Sequence, residues 1–296
     1  MELTEAKKHK LGTLCCVAGA ASWGISGACS EAFFKSYTVD SAWVTAIRML
    51  AAGVILMAWV LAKRKIKLAE MIKKKADVIE ILIFALAGLA LCQYAYLSAI
   101  RWTNSGTATV LQNLSIVFIA VFVCITTKKL PTKKMVFCTL LALVGVWLIA
   151  TGGKPGNMEI TPRGLFWGMA AAFGAASYSL LSRSPVSKWG SMPVTGLGML
   201  IGGCVLLVVT RAWNIPTGLD AQAVILLAVI VVVGTVGAFT LFLQGINMVG
   251  PVKASILACL EPLTATTLSV FWLHSHFTIV DMIGFACILI TVVLTA

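Results

Sequence analysis

The chain reads as an all-α integral membrane protein of ten transmembrane helices, arranged as two inverted five-helix repeats. Composition, the length of the apolar runs and the charge of the loops predict this. Hydrophobic residues make up 59% of the 296 and charged residues 11%, which leaves too little polar surface to cover a water-soluble fold of this size. A hydrocarbon core roughly 30 Å thick needs about 20 apolar residues per helix. The sequence offers ten such runs, at 11–33, 41–62, 78–100, 105–126, 135–151, 163–182, 193–211, 221–245, 251–273 and 277–296.

Taken in order, the first run follows the basic tail Lys7, Lys8 and Lys10. It is longer than the apolar region of a signal peptide, and nine more runs follow, so it is expected to stay in the protein. The second and third runs flank the basic stretch from Lys63 to Lys75, and the fourth and fifth flank Lys128 to Lys134. A Gly-Gly-Lys-Pro-Gly linker at 152–156 precedes the sixth. Arg183 and Lys188 separate the sixth run from the seventh, and Lys253 opens the ninth.

The formal charge of +12 could suggest a nucleic-acid partner, but its distribution argues for a bilayer. With the N-terminus inside, 17 of the 23 Lys and Arg residues lie in the tail and in loops on its side. Lys35, Arg101, Lys154, Arg163 and Arg211 lie on the other side, and Arg48 lies within a run. Such asymmetry places both termini in the cytoplasm. Neither end carries a sorting or lipidation signal, so a bacterial inner (plasma) membrane is expected. All nine cysteines fall inside apolar runs, with no CxxC and no His at ligand spacing. They read as small apolar packing residues, and neither metal nor cofactor is expected.

Sliding the C-terminal half along the N-terminal half pairs 97–150 with 243–296 without a gap. A second register places Gly12 on Gly164 and Trp23-Gly24 on Ala175-Ala176. Five runs repeated twice follow: residues 1–151 as the first repeat and 161–296 as the second, with the linker near 152–160. An odd number of passes per repeat forces the second copy in from the opposite face. Inverted repeats of this kind carry solute sites near the midplane between their halves.

Polar groups inside the apolar runs mark the candidate site. Glu261 lies about 15 Å along the ninth run, at roughly 1.5 Å per residue, and is followed by Pro262, a helix break that frees the carbonyl of Ala258. A carboxylate at that depth costs roughly 2.5–3.5 kcal/mol to insert and faces a bundle interior or a wet path. Glu261 thus reads either as a coupling or substrate-binding acid or as a structural acid paired with Arg48. Arg48 stays charged in every state and needs a partner, for which Glu31 and Glu261 are the candidates. It also reads as a structural anchor. Gln112 and Asn113 carry amides that require partners near the midplane. Ser22, Ser26 and Ser30 share a face of the first run, and Thr240, Gln244 and Asn247 one of the eighth. The serines can equally bond their own backbone. Trp23, Tyr94, Tyr96 and Tyr178 lie at similar depth and could stack on a planar or cationic solute or simply pack. The candidate substrate-binding set is therefore Trp23, Ser26, Tyr94, Gln112, Asn113, Tyr178 and Glu261. Small residues at spacing four (Ala20/Gly24, Gly168/Ala172, Gly198/Gly202) read as helix-packing positions. Phosphate loops, HExxH and Ser-His-Asp spacing are all missing, so an enzyme is not expected.

These segments resemble the EamA group of the drug/metabolite transporter superfamily. The likeness is carried by AASWGISG at 20–27, TAIRMLAAGVIL at 45–56, YLSAIRWTNSGTATVLQNL at 96–114, GLFWGMAAAFGAASYSLLSR at 164–183, GINMVGPVKASILACLEPL at 245–263 and GFACILITVVL at 284–294. It runs through essentially the whole chain. The resemblance implies a secondary carrier, active or facilitative, that exports small organic metabolites such as amino acids or aromatic or cationic solutes by alternating access. It also implies matching motifs in the fourth and ninth helices. The first repeat of such proteins often has a proline where this chain has Ile116, so a helix break on one side only is expected. A monomer or homodimer would serve, since one chain already holds both halves. The competing expectation, a membrane enzyme acting on lipid or isoprenoid, is weakened by loop acids that are few and scattered (Glu70, Asp77, Asp220, Asp281).

Overall fold

The computed structural model describes residues 5–63, 71, 73–128, 130, 132–154 and 158–295. Arg64, Lys65, Lys67, Glu70, Lys129, Pro155 and Gly156 of the predicted loops and linker lie outside the described residues. Those described form helices and connecting turns without a strand. Eight helices are long and apolar enough to cross a bilayer: α1 (Glu5–Ser36), α2 (Ser41–Ala62), α3 (Lys75–Trp102), α4 (Ser105–Thr126), α5 (Lys133–Thr151), α6 (Pro162–Leu181), α7 (Ser191–Val209) and α8 (Ala221–Val249). Two shorter apolar helical stretches complete the bundle. These are α9, made of Pro251–Ala258 and Leu260–Phe271, and α10 (Ile279–Thr295). A short helix, Arg183–Trp189, joins α6 to α7.

Helix starts are set by side chains that accept the first free backbone N–H groups. Asp40 caps α2 at Ala42 N (2.8 Å), Asn104 caps α4 at Thr107 N (2.8 Å) and Asp220 caps α8 at Ala223 N (2.9 Å). Thr161 does the same for α6, with Pro162 in the first turn, where its missing N–H costs nothing. Asp220 also accepts from the Tyr37 hydroxyl. That bond first, with the cap, holds its carboxyl below the usual carboxylate range.

Large apolar side chains such as Phe137, Leu140 and Trp147 on α5 and Phe166 and Phe173 on α6 point outward, as lipid contact requires. Inside, small residues let backbones approach. The main helix pairs are α1 with α8 and α9, α2 with α7, α3 with α6, α4 with α6, and α5 with α10. Gly53 and Gly203 bring α2 against α7 at Leu200 and Leu50, while Gly145 and Gly284 lie against each other's carbonyl oxygens between α5 and α10. The spacing-four residues do pack: Gly24 against Glu261 and Thr264, Gly168 against Leu111, and Gly198 and Gly202 against Phe84 and Met49.

Four irregularities interrupt the helices. α3 and α8 each widen by a π-helical stretch, at Phe84–Ala90 and Val229–Gly237. α4 breaks at Asn113–Leu114 and α9 at Cys259. At both breaks the hydrogen bonds tighten to neighbours three residues back: Leu114 N to Leu111 O (3.0 Å), Ile116 N to Asn113 O (3.3 Å) and Cys259 N to Ile256 O (3.2 Å). The one-sided break expected from Ile116 is thus corrected, since α4 breaks without a proline. Cysteines are not uniformly core residues either. Cys16, Cys29 and Cys138 are buried, Cys204 is exposed, and the rest are intermediate.

Candidate functional site

A cavity of about 320 Å³ lies at the middle of the bundle, lined by residues of α1, α2, α3, α4, α6, α8 and α9. Helical spacing decides which residues face it. From α3 come Leu89, Cys92, Gln93 and Tyr96, and from α8 Phe239, Phe242, Leu243 and Ile246. Each set follows the steps three, one and three that define one helix face; the α8 set directly follows the π-helical stretch of its helix, and the α3 set starts inside its own, at Leu89. Single-turn π-bulges are frequent at functional sites.

From α1 the cavity receives Trp23, whose ring lies 5.2 Å from Phe239 and 4.8 Å from Phe242, centroid to centroid. α6 adds Ala175 and Tyr178, and the α4 break delivers Gln112, Asn113 and Ser115. Gln112 Nε2 meets Cys92 Sγ at 3.5 Å, and Asn113 Nδ2 donates to Thr109 O at 3.1 Å. The Tyr96 hydroxyl is 2.9 Å from Thr109 Oγ1. Most of the remaining wall is apolar or aromatic, which suits small organic ligands oriented by a few fixed polar groups.

Two opposite charges stand in this wall. Arg48 on α2 is 3% exposed. Its Nε donates to Thr235 Oγ1 at 2.8 Å, and that hydroxyl donates in turn to Ile230 O at 2.9 Å across the π-helical stretch of α8. Arg48 Nη1 is buried without a hydrogen-bond partner. Glu261 enters from α9 just after the break. The two charges line one cavity, yet among the described residues they form no ion pair within 4.0 Å.

Glu31, the other candidate partner of Arg48, is engaged elsewhere. It is 2% exposed and lies about 12 Å beyond Trp23 along α1, at roughly 1.5 Å per residue. Its carboxylate accepts from Ser105 N (2.9 Å), Ser105 Oγ (2.8 Å), Ser269 Oγ (2.7 Å) and Ser275 Oγ (2.8 Å), and pairs with Lys35 Nζ at 2.9 Å. Lys35 also donates to Leu273 O at 3.0 Å. This cluster ties α1, α4, α9 and the segment after α9 together at the end of the bundle where α1 finishes. The cavity lining reaches toward the other end, through Tyr178 on α6 and Ile246 on α8.

Of the residues singled out from the sequence, Trp23, Arg48, Gln112, Asn113, Tyr178 and Glu261 come together around the cavity. Tyr94 and Ser26 do not. Tyr94 sits a turn-fraction away from Gln93 and Tyr96 and packs edge-on against Trp167, 5.1 Å between centroids. Ser26 is buried under Gly234 of α8, where no side chain would fit. Gln244 and Asn247 are exposed, on the face of α8 away from the cavity. Pro262 is buried at the start of the second half of α9. Cys92, Gln93, Phe239 and Phe242 were not anticipated. Their three-one-three spacing was the available signal, masked on α8 because its amides Gln244 and Asn247 face away from the cavity while its cavity-facing residues are apolar. No group of three or more His, Cys, Asp or Glu suited to a metal occurs among the described residues.

A bundle of apolar helices around a central, mostly apolar cavity with a few polar groups defines a multi-pass membrane protein. The model of the EamA-like transporter family matches residues 10–151 and again 162–296, and the chain belongs to that family. It is a membrane transporter. An uncharacterized inner membrane transporter of Salmonella typhimurium, YicL, is 33% identical over 283 residues, 96% of this chain and 94% of that protein. The uncharacterized transporter YetK of Bacillus subtilis is 26% identical over 252 residues, covering 82% and 74% of the two chains. A crystal structure 16% identical in sequence superposes with a TM-score of 0.59 over 98% of this chain and 96% of that one, a likeness of fold.

Proposed function

We propose that this protein is a secondary carrier, active or facilitative, that exports small organic metabolites (amino acids, aromatic or cationic solutes) by alternating access between two oppositely inserted five-helix halves. The observation that carries this reading is the symmetry of the cavity wall. Aligned at the ends of their π-helical stretches, α3 and α8 place Cys92 and Tyr96 on Phe239 and Leu243, each pair 147 positions apart. Trp23 corresponds to Ala175 and Ser115 to Glu261, in the two registers detected by sequence. Exchanging helices five apart also turns the α1–α8 pair into α6–α3 and the α1–α9 pair into α6–α4, while α2–α7 and α5–α10 map onto themselves. Two family matches, 10–151 and 162–296, divide the chain at the same place. A pseudo-two-fold axis through the cavity gives the two halves equivalent ways to open, as alternating access requires.

Loop charge places both termini in the cytoplasm, and the Salmonella relative's name supports an inner-membrane location. The solute binds near Trp23, Gln112, Asn113, Tyr178 and Glu261, with Glu261 as the coupling acid. The reading is tested by flux of amino acids and quaternary amines into proteoliposomes, with and without a pH gradient. Glu261→Gln, at normal expression, is expected to abolish flux driven by the gradient. Unchanged flux removes that carboxylate from the mechanism.

A further inference from the structure

We propose that Arg48 is the anion-binding residue of the central cavity and that the carried solute is a zwitterion, its carboxylate held at the Arg48 guanidinium and its ammonium facing Glu261. The proposal deepens the carrier reading and rests on it. A guanidinium has five N–H donors and keeps its charge at any physiological pH. In this chain Nε is engaged by a neutral hydroxyl, Thr235 Oγ1, at 2.8 Å, and Nη1 is buried with no partner. Thr235 is itself fixed by its bond to Ile230 O, so the guanidinium is oriented but not neutralised.

The nearby acids do not neutralise it either. Glu31 already accepts from Ser105, Ser269 and Ser275 and pairs with Lys35. Glu261 lines the same cavity without reaching ion-pair distance, and its carboxylate has no hydrogen-bond partner among the described residues. A buried charge left unpaired is strongly unfavourable in low dielectric, and here the buried Arg48 shares one chamber with the half-buried Glu261 of opposite sign. A simple cation would satisfy Glu261 and be repelled by Arg48, and a simple anion would meet the reverse. A solute carrying both charges satisfies both. The guanidinium fork matches a carboxylate in geometry as well as charge, and Trp23, Phe239, Phe242 and Leu243 offer an apolar wall for the remainder of the solute.

The test uses the full chain in proteoliposomes, measuring flux of radiolabelled phenylalanine and leucine and its inhibition by their carboxamides, by phenethylamine and by a phenyl quaternary amine. The wild type is expected to prefer each acid over its carboxamide by roughly tenfold or more, as loss of a charge-assisted bond implies. Arg48→Met should bring acid and carboxamide to within about twofold, and Arg48→Lys should restore part of the preference. If the Arg48 variants fail to fold by size exclusion and thermal melting, Thr235→Val carries the test. It leaves the charge and misorients the fork, so it should raise KM for the acids and leave the carboxamides unchanged. Equal handling of acids and carboxamides by the wild type, or full discrimination in Arg48→Met, overturns the proposal while leaving a carrier. If no solute of any charge class moves, the carrier reading itself fails and this one with it.

Discussion

Gly24 shows how much one absent methyl group can decide. A Cβ there would stand 2.7 Å from the carbonyl oxygen of Glu261, 2.9 Å from Ala265 N and 2.6 Å from Thr264 Cβ. Two of these atoms are backbone, so α1 and α9 would have to separate at the level of the cavity acid. Gly24→Ala gains up to about 1 kcal/mol of helix propensity, against about 1–3 kcal/mol for overpacking. The expected result is a lower thermal midpoint in detergent together with reduced flux. The side chains of Glu261 and Arg48 line the cavity, and their substitutions should act on transport rather than on folding alone. Tyr94 and Tyr96 make the same point for sequence reading. They are two positions apart on one helix, yet Tyr96 faces the cavity and Tyr94 packs on Trp167, because two residues turn a helix by roughly 200°.

At the scale of elements, the breaks in α4 and α9 and the π-helical stretches of α3 and α8 hold polar groups where regular helices would have turned them away. The Glu31 cluster works the other way, by locking helices together. It gathers donors from α1, α4, α9 and the following segment onto one buried carboxylate. A hydrogen bond to a charged group contributes about 1.5–3 kcal/mol, so losing several at once is enough to shift an equilibrium between conformers a few kcal/mol apart. In a variant retaining only Cys29, itself buried two residues before Glu31, Glu31→Ala should raise labelling by a water-soluble maleimide about tenfold or more. Unchanged labelling of a folded variant would show that these bonds do not hold that end shut.

For the whole molecule, the proposed opposite insertion of the two halves makes a topological prediction. Single cysteines at Lys73 and Lys154 should react with an impermeant reagent from opposite faces of the membrane, Lys73 from the cytoplasmic side. Reaction from one face would remove the inverted repeat, and with it the alternation mechanism. Charge supports the assignment, since each half carries its basic loops toward the same side despite running in opposite directions.

The sequence by itself determined the environment and the apolar helices, and it singled out Glu261, Arg48, Gln112 and Asn113, which line the cavity. Hydrocarbon imposes those facts locally, through run length and through the cost of each buried polar group. Only the tertiary structure decided which polar groups meet. Thr235 is 187 residues from Arg48, Glu31 finds its serines up to 244 residues away, and α4 breaks without a proline. Nothing in local sequence encodes those distances, because lipid-facing and core-facing sides of these helices are equally apolar and the pairing is chosen by close packing of small residues between them.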